Sequence, residues 1–64
     1  MIKENRIKKG YTQEELAELI GISWRQLQRI EKHEEQTRIA TLKRLIQLLD
    51  ISDKEILRFM KKTD

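Results

Sequence analysis

The side chains best suited to chemistry lie close together, between residues 24 and 32 of the chain. A helix through this segment, at about 100° of rotation per residue, would have one polar side made of Trp24, Arg25, Gln28, Arg29 and Lys32. Leu27 and Ile30 would lie near the opposite side. Guanidinium groups bind guanine edges or phosphates, and glutamine amides match the edge of adenine. The segment therefore suits nucleic-acid contact, although without further context such a run of charges is more often a solvated helix face.

The residues before this segment predict how it is positioned. Thr12 and Glu15 have the spacing of a capping box, in which each side chain binds the backbone N–H of the other residue at the start of a helix. Gly21 suits the left-handed conformation that ends this helix, and Ser23 suits the cap of the next one. Ala17 is small enough for that next helix to cross closely over it. The pattern predicts two short helices joined by a tight turn.

The remaining residues predict three further helices. The first covers residues 2–9 and ends at Gly10. The fourth begins at residue 37 or 38 and has an apolar stripe at helical spacing, made of Ile39, Leu42, Leu45, Ile46 and Leu49. A second capping box, Ser52 to Glu55, opens a fifth helix whose apolar residues are Ile56, Leu57, Phe59 and Met60. The sequence predicts an all-α fold of five helices, forming one domain over residues 1–64.

The composition argues against several kinds of site. The chain of 64 residues has no cysteine, a single histidine (His33) and a net charge of +3, which permits nucleic-acid binding. It has no glycine-rich phosphate loop and no zinc-ligand spacing, and its glutamate pairs fit a helix start and a solvated loop better than catalytic carboxylates. No apolar run approaches the roughly 20 residues of a membrane span, and no signal peptide opens the chain. We therefore expect a cytoplasmic protein without enzymatic activity, metal or cofactor.

Two segments resemble a known family of regulators. KKGYTQEELAELIGIS and ATLKRLIQLLDISDKEIL are similar to the opening and to the last two helices of lambda-repressor and Cro-type helix-turn-helix proteins, often called xenobiotic-response-element regulators. The resemblance extends from Ile2 to about Leu57. It implies a compact five-helix lambda-repressor-like DNA-binding domain, whose helices 2 and 3 form the helix-turn-helix at about residues 12–32. The third helix, at about residues 23–32, would lie in the major groove of DNA.

The resemblance also implies roles for individual residues. The residues expected to contact base edges are Ser23, Trp24, Arg25, Gln28 and Arg29. Those expected to contact phosphates are Thr12, Gln13 and Lys32, and the free N–H groups at the start of the second helix would support them. Family members often pair an arginine of the first helix with a glutamate that ends the third. Arg6 and Glu31 are therefore expected to form a partly buried ion pair, the alternative being two independent surface charges.

The first helix and Trp24 depart from the family pattern. Asn5 stands where the family usually has a core aliphatic residue, and Ile7 stands where it usually has a charge. The first helix would then be rotated, or Ile7 would cover a different edge of the core. Trp24 is unusual at a base-contacting position. It would contact thymine methyl groups, pack along a sugar-phosphate strand, or fill space beside the second helix.

The loop after the third helix also departs from the pattern. Lys32 and His33 replace an asparagine–glycine pair, so the helix is expected to run further. Glu34 and Glu35 occupy a loop that is usually basic and near phosphates. They would weaken non-specific attraction to DNA or place the loop away from it.

A single reading helix contacts only a few base pairs, so we expect a homodimer on a near-palindromic operator. Phe59 and Met60 extend past the needs of the core and are expected at the dimer interface. The predicted function is transcriptional control by sequence-specific binding of double-stranded DNA, most simply repression, in a bacterium or phage, with a regulatory protein as a further partner. The alternatives are a protein-binding module of the same fold, such as an antitoxin or anti-repressor, and a designed or fragmentary domain without DNA activity.

Overall fold

The computed structural model describes residues 1–62, which contain five α-helices and no β-strand. The helices are α1 (Ile2–Lys8), α2 (Gln13–Ile20), α3 (Trp24–Lys32), α4 (Ile39–Leu49) and α5 (Asp53–Lys62). A turn of 3-10 helix, Glu34–Gln36, lies in the segment expected as a plain loop. The all-α prediction of five helices is confirmed for these residues. Thr63 and Asp64, which complete the expected domain, lie outside the described residues.

The ends of α2 and the start of α3 follow from their local sequences. The Thr12 hydroxyl accepts the Glu15 backbone N–H at 3.1 Å, and the Glu15 carboxylate accepts the Thr12 N–H at 2.9 Å. Gly21 ends α2 with a φ of 85°, in the left-handed region that favours glycine. Ser23 and Gln26 form a capping box at the start of α3 with the same two hydrogen bonds. The turn between the two helices is therefore specified by contacts within a few residues.

The core is built by the first four helices and the joint after them. Its buried apolar residues are Ile2, Leu16, Ala17, Ile20, Leu27, Leu42, Leu45, Leu49 and Ile51. Each large side chain that leaves water in this way contributes about 1.5–3 kcal/mol. Within residues 53–62, α5 has no fully buried residue, and it covers the core with the half-buried Ile56 and Phe59. The last helix is thus the most lightly attached.

The first helix has a polar residue in the interior. Asn5 is buried, whereas Ile7 is 58% exposed, so the alternative in which Ile7 covers an edge of the core is wrong. The Asn5 amide donates to the Met1 carbonyl and to a carboxylate oxygen of Glu55, each at 2.7 Å. Burying an amide is costly unless it is hydrogen-bonded, and these two bonds satisfy its donors. Asn5 therefore takes the interior position by bonding α1 to α5.

Three expected helix features differ in the structure. α3 ends at Lys32 and does not run further, because His33 leaves the helical conformation with a φ of −134°. α4 begins at Ile39, whose side chain is exposed and not part of the buried stripe. At the start of α5, Ser52 accepts the Glu55 N–H at 3.3 Å, but the Glu55 carboxylate bonds Asn5 and does not complete the box. The contact between Glu55 and Asn5 is therefore the reason that this capping box is incomplete.

Among the described residues, no helix combines the length and the apolar character that a membrane crossing requires.

Candidate nucleic-acid interface

The two sides of α3 have opposite environments. Leu27 is fully buried and Ile30 is half-buried, so this side fixes α3 against the rest of the domain. The exposed residues of the other side are Trp24, Arg25, Arg29 and Lys32, with Gln28 half-buried beside them. Ser23, which caps the helix, is also exposed. The structure thus brings the expected base-contacting residues onto one open surface.

A chain of side-chain hydrogen bonds connects both ends of α3 to α2 and α1. The Trp24 indole Nε1–H donates to the Gln13 Oε1 at 3.0 Å, and the Gln13 Nε2 donates to the Glu31 Oε1 at 3.0 Å. The Arg6 guanidinium donates to both Glu31 oxygens, from Nε at 2.7 Å and from its second terminal nitrogen at 3.3 Å. Its remaining terminal nitrogen donates to the Tyr11 carbonyl at 2.9 Å. This chain holds α3 in one orientation.

The ion pair within this chain is more buried than expected. The side chains of Arg6 and Glu31 are 10% and 5% exposed. A buried pair of charges is tolerated only when good geometry and additional hydrogen bonds offset the loss of solvation. The bidentate contact, the Tyr11 carbonyl and the Gln13 amide supply those bonds. The two residues are therefore partners in the interior and not independent surface charges.

The Helix-turn-helix family matches residues 2–56 of the chain. The chain belongs to this family, of the Cro/C1 type. No curated protein and no solved structure shows significant similarity to it. The match covers α1 to α4 and the start of α5, and so includes the core and the surface of α3. This DNA-binding helix-turn-helix family is not one of enzymes.

The amino end of α2 is the expected phosphate-contacting part of the helix-turn-helix. Thr12 is exposed, but its hydroxyl is engaged in the capping box, and accepting the Thr12 backbone N–H lowers the pKa of Glu15. Both ends of the Gln13 amide are engaged as well, by Trp24 and Glu31. What this end offers a phosphate is chiefly backbone N–H groups, since the first turn of a helix leaves them without intrahelical acceptors.

The loop after α3 contains a contact that sequence reasoning missed. Glu34 turns inward, and its carboxylate accepts the Ile2 backbone N–H at 2.7 Å and the terminal amino group of Met1 at 3.2 Å. Glu35 is exposed, with the His33 imidazole 3.9 Å away. One of the two acidic charges of this helix-turn-helix loop is therefore directed at α1. No local pattern signals this bond, because it joins residues 32 positions apart.

The two residues expected at the dimer interface of this helix-turn-helix protein, Phe59 and Met60, differ in exposure. Phe59 is half-buried and packs against the core, while Met60 is 49% exposed. Leu57, which the prediction did not include, is 62% exposed and lies one helical turn before Met60. Leu57 and Met60 share a side of α5, so the exposed apolar edge is shifted around the helix from Phe59. The signal in the sequence was the spacing of three between Leu57 and Met60.

Within residues 1–62, no group of three or more His, Cys, Asp and Glu side chains is placed to hold a metal ion.

Proposed function

We propose that this helix-turn-helix protein is a sequence-specific transcriptional regulator of double-stranded DNA, most simply a repressor. It acts in the bacterial cytoplasm, encoded by the bacterium or by a phage, without enzymatic activity and without a cofactor. Residues 1–64 serve as one DNA-binding domain, with the helix-turn-helix at about residues 12–32. The observation that carries the proposal is the surface of α3, where basic side chains are exposed beside the half-buried Gln28, on a helix whose other side packs into the core.

The chemistry of that surface supports major-groove reading. Arginine can bond both acceptors of a guanine edge, and glutamine can bond the donor and acceptor of adenine. The five residues proposed to contact base edges are Ser23, Trp24, Arg25, Gln28 and Arg29. The proposed phosphate contacts are Thr12 and Gln13 at the start of α2 and Lys32 at the end of α3. Because the Glu15 carboxylate accepts the Thr12 N–H, the backbone donor among them is the N–H of Gln13. A helix fixed by the Arg6–Glu31 pair presents these groups in one register.

Dimerisation follows from the small size of a single reading surface. Two such surfaces about 34 Å apart match one turn of DNA and a near-palindromic operator. Leu57 and Met60 supply the exposed apolar edge of α5, and Phe59 contributes the part of its ring that the core leaves open. We propose that these residues form the contact between two copies.

Selection from a random duplex pool tests the proposal directly. We expect a two-fold symmetric consensus, with an affinity that falls steeply as salt rises, because binding releases counterions from the phosphates. Arg29→Ala should cost about 1–3 kcal/mol on the consensus and relax the preference at one position. Arg58→Ala is the matched control, since Arg58 is also exposed but lies on α5. It should leave the base preference unchanged.

Two other outcomes would change the assignment. A uniform loss over all sequences in Arg29→Ala would make Arg29 a phosphate contact. If no duplex is bound even at low salt, the DNA-binding proposal fails, and a protein-binding module such as an antitoxin or anti-repressor becomes the better assignment.

The dimer is tested separately, by sedimentation equilibrium. Leu57→Glu should shift the protein toward the monomer, because it places a charge on the proposed apolar contact. Leu19→Glu is the matched control, since Leu19 is also an exposed leucine but lies on α2. Equal dissociation in both variants, or in neither, would exclude α5 as the dimer surface.

A further inference from the structure

Trp24 is the sole tryptophan of the chain and the first residue of α3. Its side chain is large and apolar apart from one N–H group, which can only donate a hydrogen bond. Trp24 is 47% exposed, so roughly half of the indole faces outward from the proposed reading surface. The residues at the amino end of a recognition helix are those that reach base edges. The chemistry of the exposed part of the indole would therefore affect which base is preferred.

The single donor of Trp24 is already used inside the protein. Nε1–H donates to the Gln13 Oε1 at 3.0 Å, while the Gln13 Nε2 donates to Glu31 at 3.0 Å. These partners fix the orientation of the Gln13 amide, because the indole can only donate and the carboxylate of Glu31 can only accept. Glu31 is held in turn by the buried Arg6. Turning the indole N–H toward a base would break a connected, satisfied network.

The part of Trp24 that remains available is hydrocarbon. Among the groups that bases present in the major groove, the C5 methyl of thymine is the apolar one, while the others are hydrogen-bond donors or acceptors. We infer that Trp24 is a specificity-determining residue that selects thymine by packing its ring against this methyl group. The inference rests on the proposed function, since it requires α3 to lie in the major groove. It assigns Trp24 a role through the apolar part of its ring, because Gln13 occupies the indole N–H.

Replacing thymine by deoxyuridine tests the inference, because this change removes only the methyl group. Each thymine of the selected consensus is replaced in turn, and affinity is measured by fluorescence anisotropy of a labelled duplex. We expect one position in each half-site to lose affinity about four-fold, the value of one buried methyl group. Other thymines should be insensitive to the change or sensitive independently of residue 24.

Two variants connect that position to Trp24. Trp24→Ala should bind thymine and deoxyuridine equally at the sensitive position, because the apolar partner of the methyl is gone. Trp24→Phe keeps an aromatic ring but has no N–H, so it should retain most of the four-fold preference. We expect circular dichroism to show that both variants fold, because Trp24 is half-exposed.

Each contrary outcome has a distinct meaning. If Trp24→Phe loses the preference as fully as Trp24→Ala, an apolar ring at this position does not account for the selection of thymine, and the inference is overturned. If the protein binds its consensus but no position combines deoxyuridine sensitivity with dependence on Trp24, the ring packs elsewhere and the inference alone fails. If no duplex is bound at all, the proposed function fails first, and the inference falls with it.

Discussion

α3 and α5 are both amphipathic helices, and a glutamate ties each of them to the same short helix, α1. Glu31 of α3 accepts hydrogen bonds from Arg6, and Glu55 of α5 accepts one from Asn5. Asn5 and Arg6 are neighbours in the sequence of α1. The two attachments differ in kind. The first is a bidentate pair of charges, and the second is a single bond from a neutral amide.

The difference extends to the apolar contacts. α3 inserts Leu27 fully into the core, whereas within the described chain α5 contributes only half-buried side chains. A helix that reads bases must hold its side chains in a fixed register, because hydrogen bonds to base edges weaken steeply with misalignment. A helix that mediates contact between copies needs an exposed apolar edge more than a fixed register. The buried contacts are accordingly made by α3, the helix proposed to read bases.

The largest expected effect comes from breaking the attachment of α3. Glu31→Ala should lower the free energy of unfolding by about 3–5 kcal/mol, because it leaves the Arg6 charge buried without a partner. Urea unfolding followed by circular dichroism measures this loss. The double variant Arg6→Met with Glu31→Leu should lose less than Glu31→Ala alone, since it leaves no uncompensated charge. A double variant as unstable as the single one would show that the cost lies in packing and not in the unpaired charge.

A pair of leucines tests the apolar half of the comparison. Leu27→Ala should cost about 2–5 kcal/mol because it leaves a cavity in the core. Leu57→Ala makes the same chemical change on α5, where the side chain is exposed. It should change the stability of the monomer by about 0.5 kcal/mol or less, as surface substitutions do. Urea unfolding at low protein concentration measures both, and similar costs at the two positions would contradict the difference drawn between the helices.

A smaller effect is expected from loosening α5. Glu55→Ala leaves one donor of the buried Asn5 amide unsatisfied, at a cost of about 1–3 kcal/mol. Because α5 has few other buried contacts, its amide protons should exchange faster while those of α3 keep their protection. Hydrogen exchange resolved by residue measures this. Asp53→Ala is the control, since Asp53 is exposed on the same helix. Equal acceleration in α3 and α5 would mean that the two helices open together.

The smallest effect concerns the caps of α2 and α3, which differ by one charge. Accepting the Thr12 N–H lowers the pKa of Glu15 below its ordinary value. A lowered pKa in the folded state stabilises the fold above the pKa of the unfolded chain, and this contribution is lost as pH falls through the folded pKa. Glu15→Gln gives α2 the neutral box that Ser23 and Gln26 form at α3. We expect it to lower the melting temperature slightly near about pH 7, with the difference vanishing toward about pH 2. A difference independent of pH would exclude the carboxylate charge as its source.

The sequence by itself determined the features that depend on near neighbours. The capping residues Thr12 and Glu15 and the left-handed Gly21 mark the ends of α2, because caps and turns are formed within three or four residues. Of the five residues that periodicity assigned to the apolar stripe of α4, Leu42, Leu45 and Leu49 are buried and Ile46 is partly buried, whereas Ile39 is exposed. The family match follows from the same local patterns. These features suffice to predict the five helices and the outward direction of the basic residues on α3.

Apart from the Arg6–Glu31 pair, which the family resemblance implied, tertiary structure alone decided which partners the polar side chains bind. Asn5 meets Glu55 across 50 positions of sequence, and Glu34 meets the start of α1 across 32. Trp24 reaches Gln13, which removes its one donor from the reading surface. Composition and periodicity indicate which side of a helix faces inward, but not which partner a polar group finds there. A buried polar group must be satisfied by whatever the folded chain brings within about 3 Å, and only the packed arrangement sets that partner.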